Sequence, residues 1–197
     1  MDFKFKNQMK LKKIWNFIWK EDSFASWVVN VILAFLIVKF LIFPGLGFVL
    51  ETSHPVVAVV SESMNHNGYF DDWWERQGSW YEKKGISKEV FQTFDMKNGF
   101  SKGDIIFLKG KESFEIGDII VFTANSNNPI IHRVVAKKGD VYQTKGDANS
   151  DSSESLGETS ITNARIIGKA LFRVPYLGWI KVWASEIAGG IKSVVLS

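Results

Sequence analysis

The sequence predicts a mainly β domain, of barrel or sandwich type, carried on an N-terminal transmembrane helix. Three observations support this. First, the segment from Phe24 to Phe43 is mostly apolar and its only charge is Lys39. About 20 residues at 1.5 Å each cross the roughly 30 Å hydrocarbon layer. Second, two near-copies, Gly103-Asp104-Ile-Ile-Phe-Leu108 and Gly117-Asp118-Ile-Ile-Val-Phe122, each read as a turn entering a strand. Third, short apolar runs separated by Gly, Asn, Asp and Pro clusters continue to Val174.

The segments follow in order. Residues 1–22 carry six lysines against three acidic residues, which accounts for the whole net charge of +3. Apolar residues at 11, 14, 15, 18 and 19 recur with helical spacing, opposite the lysines. Such a helix would lie on the inner membrane surface; the competing reading is a disordered basic tail. Residues 23–44 form the transmembrane helix, with Lys39 placed to snorkel and Pro44-Gly45 as a stop or kink. A cleaved leader would end in a small-residue site, and Phe40–Gly47 offers none. Lysines before the span, and few just after it, predict a cytoplasmic N-terminus.

The extracytoplasmic domain then covers residues 50–180. Val56–Val60 suits a buried strand, and strands follow over 130–136, 141–145 and 166–174. Residues 65–100 interrupt this pattern with aromatic and charged residues, and read as an inserted, partly helical lobe. Ser87 is its candidate helix cap. Its tryptophans and tyrosines suit either a membrane interface or the core of a small subdomain. Residues 181–197 have the apolar spacing of an amphipathic helix, and their charged residues argue against a second span.

Composition removes several functions. With no cysteine there is no disulfide, thiol nucleophile or Cys-ligated metal. Beyond residue 22 the charge is balanced, which argues against a nucleic-acid surface. What remains is a set able to cleave an acyl bond: a hydroxyl that attacks, a base, and donors for the oxyanion. Ser61 and Ser63 end the first apolar run. His132 lies in a strand on the same face as Ile130 and Val134, and Asp147 and Asp151 follow.

In order, Ser61-Glu-Ser-Met64, Gly103–Leu108, Ile116–Phe122, His132-Arg-Val134, Lys145-Gly-Asp-Ala-Asn149 and Pro175-Tyr-Leu-Gly178 resemble the motifs of type I signal peptidases. The likeness is to their archaeal and endoplasmic-reticulum branch, related to the catalytic subunit Sec11. It covers roughly residues 27–64 and 101–180. It implies a membrane-bound serine endopeptidase that removes signal peptides from exported preproteins after small residues.

By this resemblance Ser63 is the nucleophile, His132 the general base, and Ser61 an oxyanion donor. Either Asp147 or Asp151 is the acid behind His132. The bacterial branch has lysine at the place of His132, so a Ser-Lys dyad is not expected. No cofactor or metal is implied. The expected partners are signal peptides, the lipid bilayer and the secretion translocon, and the expected location is the cell membrane. The cysteine-free chain suggests a prokaryotic, archaeal setting.

Three departures stand out. Glu62 replaces the usual glycine, Asn65-His66 the usual Glu-Pro, and Ser153 a second aspartate expected six residues after Asp147. Two other readings fit the same residues: an inactive substrate-binding or partner subunit, and a membrane protease for other substrates.

Overall fold

A computed structural model describes residues 12–13, 15–110, 113–179 and 183. It divides the chain into two compact units, residues 1–49 and 50–197. The expected helix over 181–197 lies outside the described residues, apart from residue 183.

In the first unit, residues 15–20 are helical. Ser23 then caps α1 (Phe24–Ile37), its hydroxyl accepting from the Ser26 N–H at 3.2 Å. A π-helical turn, Val38–Ile42, leads into α2 (Phe43–Val49). Pro44 therefore does not stop the helix. Proline lacks an N–H and crowds the carbonyl four residues back. The wider π turn just before it re-routes the bonding, with the Phe43 N–H reaching the Val38 carbonyl. The continuous helix Phe24–Val49 is 26 residues, long and apolar enough to cross a membrane, and its apolar window is unburied within the chain.

The second unit is built on one antiparallel sheet. Its strands are β1 (Val56–Ala58), β2 (Ile105–Lys109), β3 (Ile119–Thr123), β4 (Pro129–Lys138), β5 (Val141–Lys145), β6 (Ile161–Thr162) and β7 (Ile166–Val174). Their spatial order is β1-β2-β7-β3-β4-β5-β6. The expected mainly β architecture is therefore present, and β1 and β6 are the ends of the strand order. The two Gly-Asp-Ile-Ile copies become β2 and β3, both paired with β7. β6 was not foreseen; two residues are too few to show a period.

Strand alternation sends neighbouring side chains to opposite faces. One core gathers Val59, Met64, Phe100, Ile106, Leu108, Ile119, Val121 and Ala170. A second gathers Phe114, Ile120, Phe122, Ala124, Val134, Tyr142 and Ile161. The consecutive β3 residues Ile119 to Phe122 thus alternate between two cores. A strand buried on both faces reads as a continuous apolar run, as this one does.

The inserted lobe contributes α3 (Phe70–Lys83) and α4 (Lys88–Gln92). Ser87 caps α4, accepting from the Val90 N–H at 3.4 Å. Asp71 and Asp72 lie in the first turn of α3 and Lys83 in its last, matching the helix dipole. Trp73, Trp74, Gly78 and Tyr81 form its buried face. Gly78 is required there, since a Cβ would stand 2.5 Å from the Trp74 ring. Trp73, Trp74, Tyr81, Ile86 and Phe91 pack with Val135 of β4. Of the two readings of these aromatics, the core one describes them; Tyr69 is the exposed exception at 85%.

Phe91 is fully buried at the centre of this cluster, 4.9 Å from both Trp73 and Tyr81 between ring centroids. We predict that Phe91→Ala costs about 3–5 kcal/mol. A denaturant titration of the detergent-solubilised chain, read by tryptophan fluorescence, checks this.

Candidate active site

The serine segment leaves β1 and turns sharply. The Asn65 N–H donates to the Glu62 carbonyl at 3.0 Å, which puts Ser63 and Met64 at the corners of a turn. Met64 is buried to 1% and plugs this turn into the first core. Two further bonds fix it: the Ala148 N–H donates to the Ser63 carbonyl at 2.8 Å, and the Phe100 N–H to the Met64 carbonyl at 3.0 Å. Ser61 and Ser63 have their hydroxyls 3.1 Å apart.

Glu62 does not disturb this turn. Its φ is not in the left-handed region, so no glycine is needed. Its exposed carboxylate accepts from Asn65 Nδ2 at 2.8 Å. The two departures from the resemblance, at 62 and 65, thus pair with each other.

A cavity of about 670 Å³ joins Ser61 and Ser63 to His132. Val56 to Val60 line it, with Ile130, Ile131, Asn149 and Ile167 among the other residues. Gly146 closes the back of the site. A Cβ there would stand 2.8 Å from His132 Nε2, from Asn149 Nδ2 and from the Ser63 carbonyl oxygen. Glycine is what lets the serine turn and the histidine ring approach one another across this loop. Ser63, Ser61 and His132 are therefore assembled around one cavity.

The aspartates go elsewhere. Asp147 is fully buried, and its Oδ2 accepts from Arg133 Nη2 at 2.8 Å and from His66 Nε2 at 3.0 Å. Its Oδ1 accepts from Tyr81 at 2.9 Å and Arg133 Nε at 3.0 Å. Burial alone would raise its pKa, but the Arg133 charge and these hydrogen bonds hold the carboxyl below the usual carboxylate range. Asp151 is exposed and accepts from Trp80 Nε1 at 3.1 Å. Neither expected partner is bonded to His132 among the described residues. The reason lies in the strand: His132 and Arg133 are consecutive on β4, and Arg133 takes Asp147 to its own side.

Glu158 stands at His132 instead. It is fully buried, and its Oε1 is hydrogen-bonded to His132 Nδ1. Thr144 Oγ1 donates to the same oxygen at 3.2 Å, and the Ser153 N–H to Oε2 at 2.7 Å. Glu158 ends the polar stretch Asn149–Glu158, and the resemblance assigns it no role. Ser153 at the place of an expected aspartate was a signal to test every carboxylate in that loop.

His66, set aside as part of the insertion, stacks on Trp73 with centroids 3.8 Å apart. Lys145 also faces the lobe. Its ammonium lies 5.1 Å and 4.7 Å from the Trp80 and Tyr81 rings and donates to Gln77 at 3.3 Å. Burial pushes its pKa down to about 8, with Asp147, Asp151 and Glu158 opposing. No group of three or more His, Asp or Glu side chains among the described residues is arranged to hold a metal.

The fold and site define an antiparallel β domain whose serine turn and buried histidine share an apolar cavity, in a chain that also has a membrane-length helix. Proteins named signal peptidase complex catalytic subunit SEC11 are similar to it. The one from Colletotrichum graminicola is 28% identical over 173 residues, covering 82% of this chain and 81% of its own. The Fusarium vanettenii protein is 27% identical over 158 residues, covering 75% and 73%. The Saccharomyces cerevisiae protein is 31% identical over 102 residues, covering 46% and 61%. No family model matches the chain. The chain is a homologue of these signal peptidase catalytic subunits.

Two predictions follow from the charges. Asp147→Asn leaves Arg133 as a buried, uncompensated cation, and should cost about 3–5 kcal/mol in a urea titration. The Lys145 pKa is lower in the folded than in the unfolded chain. Between about pH 8 and 10.5 the unfolded chain therefore holds the extra proton, and stability rises with pH. Lys145→Met should flatten that rise, as measured by denaturation midpoints across the range.

Proposed function

We propose that the chain is a membrane-bound serine endopeptidase that removes signal peptides from exported preproteins. The observation that carries this is the shared cavity of Ser61, Ser63 and His132, in a chain homologous to Sec11 signal peptidases. Ser63 Oγ attacks the scissile carbonyl, while His132 takes its proton and returns it to the leaving amine as the C–N bond breaks; a water deprotonated by His132 then hydrolyses the acyl-Ser63 ester and restores the hydroxyl. The Ser63 N–H and the Ser61 hydroxyl hold the oxyanion. His132 is 3% exposed and lines a mostly apolar cavity, which limits competing water.

The groove favours an extended peptide. β1 is at one end of the sheet's strand order, and its residues line the cavity beside both serines. A substrate strand adding to that edge places its carbonyl at Ser63, with its small side chains accommodated on alternate positions. The helix Phe24–Val49 anchors the enzyme in the membrane that holds the substrate's own signal segment, raising their effective concentration. The N-terminus faces the cytoplasm and the β domain faces outward, where preproteins emerge from the secretion translocon.

Cleavage of a preprotein with small residues at −1 and −3, followed by gel and mass spectrometry in detergent and lipid, tests this reading. Wild-type protein should cut at that site. Ser63→Ala should remove the activity, and Ser61→Ala should lower it by on the order of 10²–10³. An intact preprotein with the wild-type chain, or cleavage surviving in Ser63→Ala, contradicts it.

A further inference from the structure

Resting on the peptidase reading, we infer that Glu158 is the carboxylate that positions His132, and that Asp147 serves the inserted lobe instead. A carboxylate in this role holds the neutral imidazole in one tautomer and offsets the charge it acquires as base. It must bond the ring nitrogen facing away from the nucleophile, be held rigidly, and keep its charge unspent.

Glu158 meets each requirement. It takes Nδ1 of His132, while Nε2 is the nitrogen that a Gly146 side chain would strike, beside the Ser63 carbonyl. The carboxylate is pinned by Thr144 Oγ1 and the Ser153 N–H, and its own backbone is bonded at both groups. The Glu158 N–H donates to the Ser153 carbonyl at 3.0 Å, and the Thr144 N–H to the Glu158 carbonyl at 2.9 Å. The two donors to the carboxylate, the Thr144 hydroxyl and the Ser153 main-chain N–H, are neutral. Lys145 senses the carboxylate only through its field and bonds Gln77 and main-chain carbonyls instead. The negative charge of Glu158 is therefore left for an imidazolium at His132.

Asp147 fails on the last requirement. Its charge is matched by the fixed guanidinium of Arg133, which bonds both its oxygens. His66 and Tyr81, both from the lobe, occupy the same carboxylate. The place of Glu158 is also intelligible from the loop. Its Oε2 sits on the main-chain N–H of Ser153, the position where the resemblance expects an aspartate. A longer side chain arriving from five residues on reaches the spot that serine leaves open.

The test compares Glu158→Gln with Asp147→Asn and Asp151→Asn in full-length, detergent-solubilised protein, each rate corrected for the folded fraction. Glutamine keeps the shape and removes the charge. Glu158→Gln should lower kcat by about 10²–10⁴ with KM within about threefold, a larger loss than either aspartate variant shows. A second readout uses proton NMR of the Ser63→Ala chain. A strongly hydrogen-bonded Nδ1 proton of His132 should be present, be lost on adding Glu158→Gln, and persist on adding Asp147→Asn. That readout needs no substrate, so it stands even where preprotein cleavage fails. Wild-type-like kcat in Glu158→Gln, a loss confined to KM, or an Nδ1 proton that survives the substitution would overturn the assignment.

Discussion

The ion pair between Asp147 and Arg133 is the constraint on which the rest of the β unit depends. Both residues are buried, and the guanidinium bonds both carboxylate oxygens. Arg133 also donates to the main-chain carbonyls of Asp95, Met96 and Gly117, and lies 4.7 Å from the Phe91 ring. Asp147 adds His66 and Tyr81, and its carbonyl accepts from Trp73. One pair thus ties β4, the loop after β5 and the inserted lobe together. Desolvating two charges is costly, and only such a saturated set of bonds offsets it.

The pair also locates the serine turn and His132. The loop holding Asp147 supplies the Ala148 N–H that fixes Ser63, and Gly146, which abuts His132. Arg133 fixes the strand whose preceding residue is His132. Period-two alternation then separates the roles: one side chain holds the fold and the next faces the cavity. Neighbouring residues in a motif, His132-Arg133-Val134, line the cavity, hold the framework pair and fill the core in turn. Glu158 completes the histidine side without drawing on the framework pair.

Much of this was readable from the sequence because the signals were local. The Gly-Asp-Ile-Ile repeats marked β2 and β3, the Gly139-Asp140 turn marked the start of β5, and Ser87 marked the start of α4. Motif order singled out Ser61, Ser63 and His132, and the fold brings all three to one cavity. What was not legible depends on contacts distant in the chain. The partner of a buried carboxylate carries no local signature, so Asp147, Asp151 and Glu158 could not be ranked by spacing alone. Pro44 read as a stop or kink, because a π turn that absorbs it has no sequence pattern of its own. His66 read as part of a peripheral insertion, yet 81 residues on in the chain it meets Asp147.

We propose that Ser63 is a nucleophile made competent by His132 within one cavity. Intact-mass and peptide mapping after reaction with a peptidyl fluorophosphonate bearing small side chains measures this most directly. One adduct is expected, on Ser63, formed much more slowly in His132→Ala. An adduct on another residue, or equal rates with and without His132, would contradict it.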